Sequence, residues 1–167
     1  MRGRLWPCIV LAAWATVVAA VSYADPPPGY AFLHYDEALK AARQQNKKIF
    51  VYYGRYGCGF CEKTNKESFS DPALKKLYTR HYVISYVDAE SGRRLVLPNG
   101  ERITEMELGA RLKAKVTPVF IYMDSDGKSL LKVPGFQTVQ DFIKYDQYIN
   151  GEHYKKKSLE QFLSQPR

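Results

Sequence analysis

Cys58 and Cys61 stand two residues apart, as Cys58-Gly59-Phe60-Cys61. In one helical turn that spacing brings two sulfurs within bonding reach. The run follows a β-branched and aromatic stretch and opens a helix. Free amides and the helix dipole there stabilise an anion, so the first thiol ionises more easily. Cys58 is then the exposed nucleophile that attacks a disulfide. Cys61 is the more buried thiol that resolves the mixed disulfide. Three other uses of the pair stay open: half of a zinc site, a structural disulfide, or soft Cu(I) binding. Zinc wants four ligands, and no second such pair exists, while His34, His81 and His153 are scattered. A ring this small restrains the unfolded chain little, which makes it a poor staple.

Val116-Thr117-Pro118 is the second candidate. A proline entering a central strand needs a reason. A cis Thr117–Pro118 bond would supply one and would leave the Thr117 backbone free to pair with an extended partner chain. The plainer reading is a proline that ends the preceding helix.

The elements that must hold these residues follow from pattern. Asp36–Asn46 reads as a helix and Lys48–Tyr53 as a buried strand. A second helix runs from Cys58 to about Ser68. Asp71-Pro72 is a strong helix start, leading to Arg80. Tyr82–Val87 is a strand that ends at Asp88. Ser91–Ile103 reads as an inserted hairpin, and Thr104 with Glu107 caps a helix to Lys115. Val119–Met123 is a strand, and Ser129–Val133 pairs back beside it through the Asp124–Gly127 turn. Thr138 with Asp141 caps a helix to Asn150, and Ser158–Leu163 makes a last short one. Strands separated by helices imply parallel crossovers, and the final hairpin adds an antiparallel edge. The fold class is α/β: a mixed central sheet flanked by helices, with an inserted hairpin and a C-terminal helical extension.

The 167 residues, 46% hydrophobic with a net charge of +8, suffice for one domain and exclude a disordered chain. Three cysteines are too few for a disulfide framework. The N-terminus bears on both the odd cysteine and the charge. Arg2 and Arg4 precede an uncharged, alanine-rich run from Leu5 to Val21, and Ser22-Tyr23-Ala24 offers small residues for a peptidase. Residues 1–24 therefore read as a cleaved signal peptide; the alternative is a membrane anchor facing the periplasm, although the run is shorter than the ~20 residues that span a bilayer. Cleavage removes Cys8, both tryptophans, and Arg2 and Arg4 with no acid. Cys58 and Cys61 are then the only cysteines of an exported, periplasmic chain. Residues 25–35, with Pro26-Pro27-Pro28, read as a linker, and 151–167 as the C-terminal extension. Basic residues are spread without an aromatic-interleaved stripe, so no nucleic-acid role is expected. The Lys155-Lys156-Lys157 run reads as a solvated helix start.

With Thr117-Pro118 before a strand–turn–strand and Gly135 beyond it, the chain resembles the thioredoxin superfamily over 36–150. More narrowly it resembles the exported thioredoxins of bacterial sulfur oxidation. The matching residues are Phe69 with Asp71-Pro72, Asp88, Gly100-Glu101, Pro134-Gly135-Phe136, and Tyr148-Ile149-Asn150-Gly151 with Tyr154. The resemblance implies a thioredoxin fold, catalytic Cys58 and Cys61, and a cis Pro118. It implies a substrate surface of Gly59, Phe60, Thr117, Pro118 and Tyr56. It also implies a monomer that reduces disulfide-bearing periplasmic proteins, with electrons drawn from a membrane thiol–disulfide transporter. No flavin, nicotinamide or metal motif accompanies the pair, so no cofactor is expected.

Three positions depart from the family pattern. Gly57 replaces the usual tryptophan, leaving Tyr56 to supply aromatic surface. Tyr52 replaces the buried acid of cytosolic thioredoxins, leaving Glu62, Glu37 or water as the proton relay. Gly59-Phe60 replaces Gly-Pro, which moves such motifs toward an oxidising potential, so an oxidant or isomerase-like protein is the alternative. A thioredoxin-fold copper carrier or assembly factor is another.

Overall fold

Alternation in one strand sets the whole architecture. In the computed structural model, which describes residues 26–164, strand β1 (Lys48–Gly54) is buried on both faces after its first residue. Side chains point alternately to opposite faces. Phe50 and Tyr52 therefore enter one core, while Ile49, Val51 and Tyr53 enter the other. The other strands follow the same rule: β2 (Tyr82–Asp88), β5 (Val119–Met123) and β6 (Ser129–Pro134) complete a sheet ordered β2-β1-β5-β6.

Helix α1 (Tyr35–Gln45) covers the aliphatic face with Ala38, Leu39 and Ala42, and it stops at Asn46 in the left-handed conformation. A small two-stranded sheet, β3 (Arg94–Val96) with β4 (Arg102–Thr104), closes that core through Leu95 and Ile103. Helix α4 (Glu105–Arg111) adds Leu108. The opposite face is aromatic. There α3 (Pro72–His81) and α5 (Val139–Asn150) bring Leu74, Tyr78, Phe142, Tyr145 and Ile149 against Phe50, Phe120 and Tyr122. Phe50 and Phe120 lie nearly parallel, with ring centroids 5.9 Å apart, and Phe142 meets Phe120 edge-on at 4.9 Å.

Helix starts fall where cap chemistry places them. The Asp71 carboxylate accepts the Leu74 amide at 2.7 Å ahead of Pro72. Thr104 with Glu107, and Thr138 with Asp141, form reciprocal capping boxes. Residues 1–24, expected to be a signal peptide, and Cys8 within them lie outside the described residues.

Three segments differ from the sequence expectation. Strand β1 pairs parallel with β2, but β5 runs antiparallel to β1, with Tyr53 opposite Val119. The reason is length. The seven residues of α4 rise only about 10 Å at ~1.5 Å each, well short of a seven-residue strand at ~3.3 Å each. Helix α4 thus does not carry the chain to the far end of the sheet, and β5 starts where β1 and β2 finish. Helix α4 also ends at Arg111 rather than Lys115, because Lys113 turns left-handed on the way to β5. Third, the helix after Cys58 is broken: α2 (Gly59–Thr64) passes into a π-helical turn over Asn65–Phe69.

Within the 25–35 segment, Leu33 bridges Ser85 along the outer edge of β2, and the Tyr30 hydroxyl donates to the Phe69 carbonyl at 3.2 Å. Beyond α5, a 3-10 turn (His153–Lys155) and α6 (Leu159–Leu163) fold back. Phe162 lies 5.4 Å from the Tyr148 ring, and the Tyr148 hydroxyl donates to the Lys157 carbonyl.

Candidate active site

The ends of β1 and β2 and the beginning of β5 meet at one pole of the sheet. Gly54 accepts the Ala89 amide at 2.7 Å, tying the first two strands together there. The chain leaves β1 through Arg55, Tyr56 and Gly57, and Gly57 adopts φ +65°, which glycine takes without a Cβ clash. Cys58 is the N-cap of α2. Its carbonyl accepts the amides of Cys61 and Glu62 at 2.9 and 3.0 Å.

Cys58 and Cys61 are joined as a disulfide with Cα atoms 5.2 Å apart. The Cys61 amide also points at the Cys58 sulfur, 3.1 Å away. A donor held there favours negative charge on that sulfur once the bond is reduced. Cys61 is fully buried and Cys58 is 5% exposed. Cys61 is the more buried of the two, but Cys58, expected to be exposed, is itself buried in the disulfide form.

The rim compensates. Tyr56 is 65% exposed, Phe60 62% and Val116 54%, and these are three of the six large apolar side chains exposed among the described residues. Such residues concentrated around one feature mark a contact surface. Gly59, the first residue of α2, is exposed with open space around it. Lys63 on the next turn sits over the Phe136 ring at 4.3 Å, bracing α2 against the loop after β6.

The Thr117–Pro118 peptide bond is cis. Because Val119 is the register partner of Tyr53, Thr117 and Pro118 lie beside the loop that carries the cysteines. Pro118 is buried and its carbonyl accepts the Gly135 amide at 2.8 Å. Among the described residues, no backbone hydrogen bond uses the Thr117 amide or carbonyl.

A cavity of about 410 Å³ opens next to Thr117. Its lining also includes Tyr53, Arg55, Glu90, Lys115 and Val116. Arg55 donates to the Tyr56 carbonyl at 3.1 Å and pairs with Glu90 at 3.4 Å. Sequence reading did not single out Arg55, Glu90 or Lys115. Their signal was positional: each flanks the end of a strand at the cysteine pole.

Neither acid named as a replacement proton relay sits beneath Cys61. Glu37 is exposed on α1, where it accepts the His34 amide, and Glu62 is exposed on α2. Tyr52 fills the space below. Its hydroxyl donates to Asn65 Oδ1 at 3.0 Å and lies 3.4 Å from the Cys61 carbonyl. Burial pushes the Tyr52 hydroxyl well above the ordinary tyrosine range, so it stays protonated. Among the described residues, no three His, Cys, Asp or Glu side chains converge as a metal site would require, and no helix is long and apolar enough to cross a membrane.

Residues 35–150 match the family model of the thioredoxin-like domain. The chain belongs to the thioredoxin-like family. Solved relatives agree on the fold. A thioredoxin-fold protein from Helicobacter pylori is 20% identical with a TM-score of 0.63, covering 71% of this chain and 83% of that one. A protein of Bacteroides thetaiotaomicron described as a putative disulphide-isomerase is 25% identical with a TM-score of 0.57, covering 75% and 97%. A protein of Archaeoglobus fulgidus is 29% identical over 80 residues, which span 48% of this chain and 61% of the relative.

Proposed function

We propose that this protein is an exported thiol–disulfide oxidoreductase that reduces disulfides of partner proteins in the periplasm. The observation that carries this reading is the Cys58–Cys61 bond at the N-cap of α2, ringed by exposed Tyr56, Phe60 and Val116. A structural disulfide gains nothing from such a rim, whereas an exchanging one needs a surface on which a partner can lie.

In the reduced protein the Cys58 thiolate attacks one sulfur of a partner disulfide. A Cys58–partner disulfide forms, and the other partner sulfur leaves as a thiolate and takes a proton. Cys61 then attacks the Cys58 sulfur, closes the disulfide and releases the second partner thiol. Two electrons and two protons pass from the protein to the partner. Phe60, Gly59 and Tyr56 lie against the partner's apolar side chains, while the Thr117 amide and carbonyl pair with its extended backbone beside Pro118. A membrane thiol–disulfide transporter returns the two electrons, and the protein acts as a monomer. Export is supported by the leader-like pattern of residues 1–24. The reductive direction is supported by likeness to the exported thioredoxins of sulfur oxidation; the relative described as a disulphide-isomerase keeps an isomerase role as the competing reading.

Insulin-disulfide reduction driven by dithiothreitol tests the assignment. Cys58→Ser removes the activity entirely, and Cys61→Ser accumulates mixed disulfides that gel electrophoresis under non-reducing conditions displays. Undiminished activity in the Cys58→Ser protein contradicts the mechanism.

A further inference from the structure

The resolving step makes two demands of Cys61: its sulfur must be held at the Cys58 sulfur, and its proton must go somewhere. Cys61 is wholly buried. The buried carboxylates among the described residues are those of Glu105 and Asp146, and each faces a histidine elsewhere, His34 at 3.6 Å and His81 at 2.8 Å. Beneath the Cys61 turn lie neutral groups instead. The Tyr52 hydroxyl reaches both the Cys61 carbonyl and Asn65 Oδ1, at 3.4 and 3.0 Å. The Asn65 amide closes on the same Cys61 carbonyl. Tyr52 therefore clasps the two ends of one helical turn, and that turn is where α2 passes into the π-helical segment. Single π turns inside α-helices gather at functional sites. Here the irregular turn begins at the Asn65 that faces Tyr52.

We propose that Tyr52, acting with Asn65, is the positioning residue of the resolving step. It fixes the Cys61 turn against β1 so that resolution proceeds without a buried base. The reading rests on the oxidoreductase assignment above. The Cys61 sulfur bonds to the Cys58 sulfur, the bond from Cys58 to the partner sulfur breaks, and the Cys61 proton ends on the departing partner thiolate. Tyr52 gives and takes no proton.

Stopped-flow reaction of the reduced protein with 5,5′-dithiobis(2-nitrobenzoate) separates the steps. A Cys8→Ser background leaves Cys58 and Cys61 as the only thiols. The first equivalent of thionitrobenzoate reports attack by Cys58, and the second reports resolution by Cys61. Tyr52→Phe keeps the ring and removes the donor. The second release then slows about five- to tenfold, the effect of one lost hydrogen bond between neutral groups, while the first stays within about twofold. Asn65→Ala, which removes the acceptor from the other side, gives the same split and decides the matter should Tyr52→Phe fail to fold. Two unchanged phases, or two phases slowed alike, overturn the positioning role. A parent protein with no intramolecular second release overturns the redox assignment itself, which is a distinct outcome.

Discussion

Tyr78 and Tyr122 share a 2.6 Å hydrogen bond inside the aromatic core, and Tyr78 donates onward to the Phe142 carbonyl at 2.8 Å. Both rings are fully buried. Burial, with neighbouring tyrosines and Asp146 adding to it, raises both hydroxyls far above the ordinary value of 10, and burial pushes Tyr145 up to about 12. These groups keep their protons in the folded chain when the unfolded chain loses them. Above pH ~10 the unfolded state thus holds fewer protons than the native state, so the tyrosine contribution to stability is constant below about pH 9 and is lost as pH rises past 10. Urea unfolding from pH 8 to 11.5 shows that decline, and tyrosinate absorbance of the native protein lags behind that of the denatured one. Native tyrosines titrating together near pH 10 would count against it. At this scale the sequence spoke unevenly. Cys58 and Cys61 announce themselves by spacing. The link from Tyr52 to Asn65 does not, because it joins positions thirteen apart across a helix irregularity that no local pattern encodes.

Elements with short-range causes were readable. Asp71-Pro72 places a carboxylate and a pre-set φ at the start of α3, and the helix begins there. Asp71→Ala removes the bond to the Leu74 amide and lowers stability by about 1 kcal/mol. Chemical denaturation shows that loss as a lower midpoint, with insulin reduction unchanged in the folded protein; an unaltered midpoint means the cap is idle. Strands β1 and β5 were equally plain, since Phe50, Val51, Phe120 and Ile121 are apolar whichever face they meet. The direction of β5 was not plain. It depends on α4 being too short to cross the sheet, and α4 stops at Arg111 just ahead of a left-handed Lys113, a residue type that carries no such signal. The break in α2 escaped notice for a similar reason. Lys66 and Glu67 are good helix formers, and the turn is set by tertiary burial of Ser68 and Phe69, with the Ser68 hydroxyl donating to the Gln137 carbonyl at 2.6 Å.

Across the whole molecule, two cores on either side of one sheet leave a single pole where strand ends, the cysteine loop and the Thr117–Pro118 bond converge. The aromatic core lies under that pole, with Cys61, Tyr52 and Phe69 in one cluster. The packed core thus holds both cysteines, and the exposed rim carries Phe60 and Tyr56. On the proposed function this pole exchanges electrons rather than staples a loop. The most direct test of that exchange is the reduction potential of Cys58–Cys61. The Cys8→Ser chain is equilibrated in graded thiol–disulfide buffers, quenched with acid and alkylated with a maleimide that shifts its mobility. Electron exchange predicts one two-electron transition between about −120 and −270 mV, nearer the lower figure for a reductant. A pair that stays oxidised to below about −300 mV, the range of structural disulfides, would contradict it.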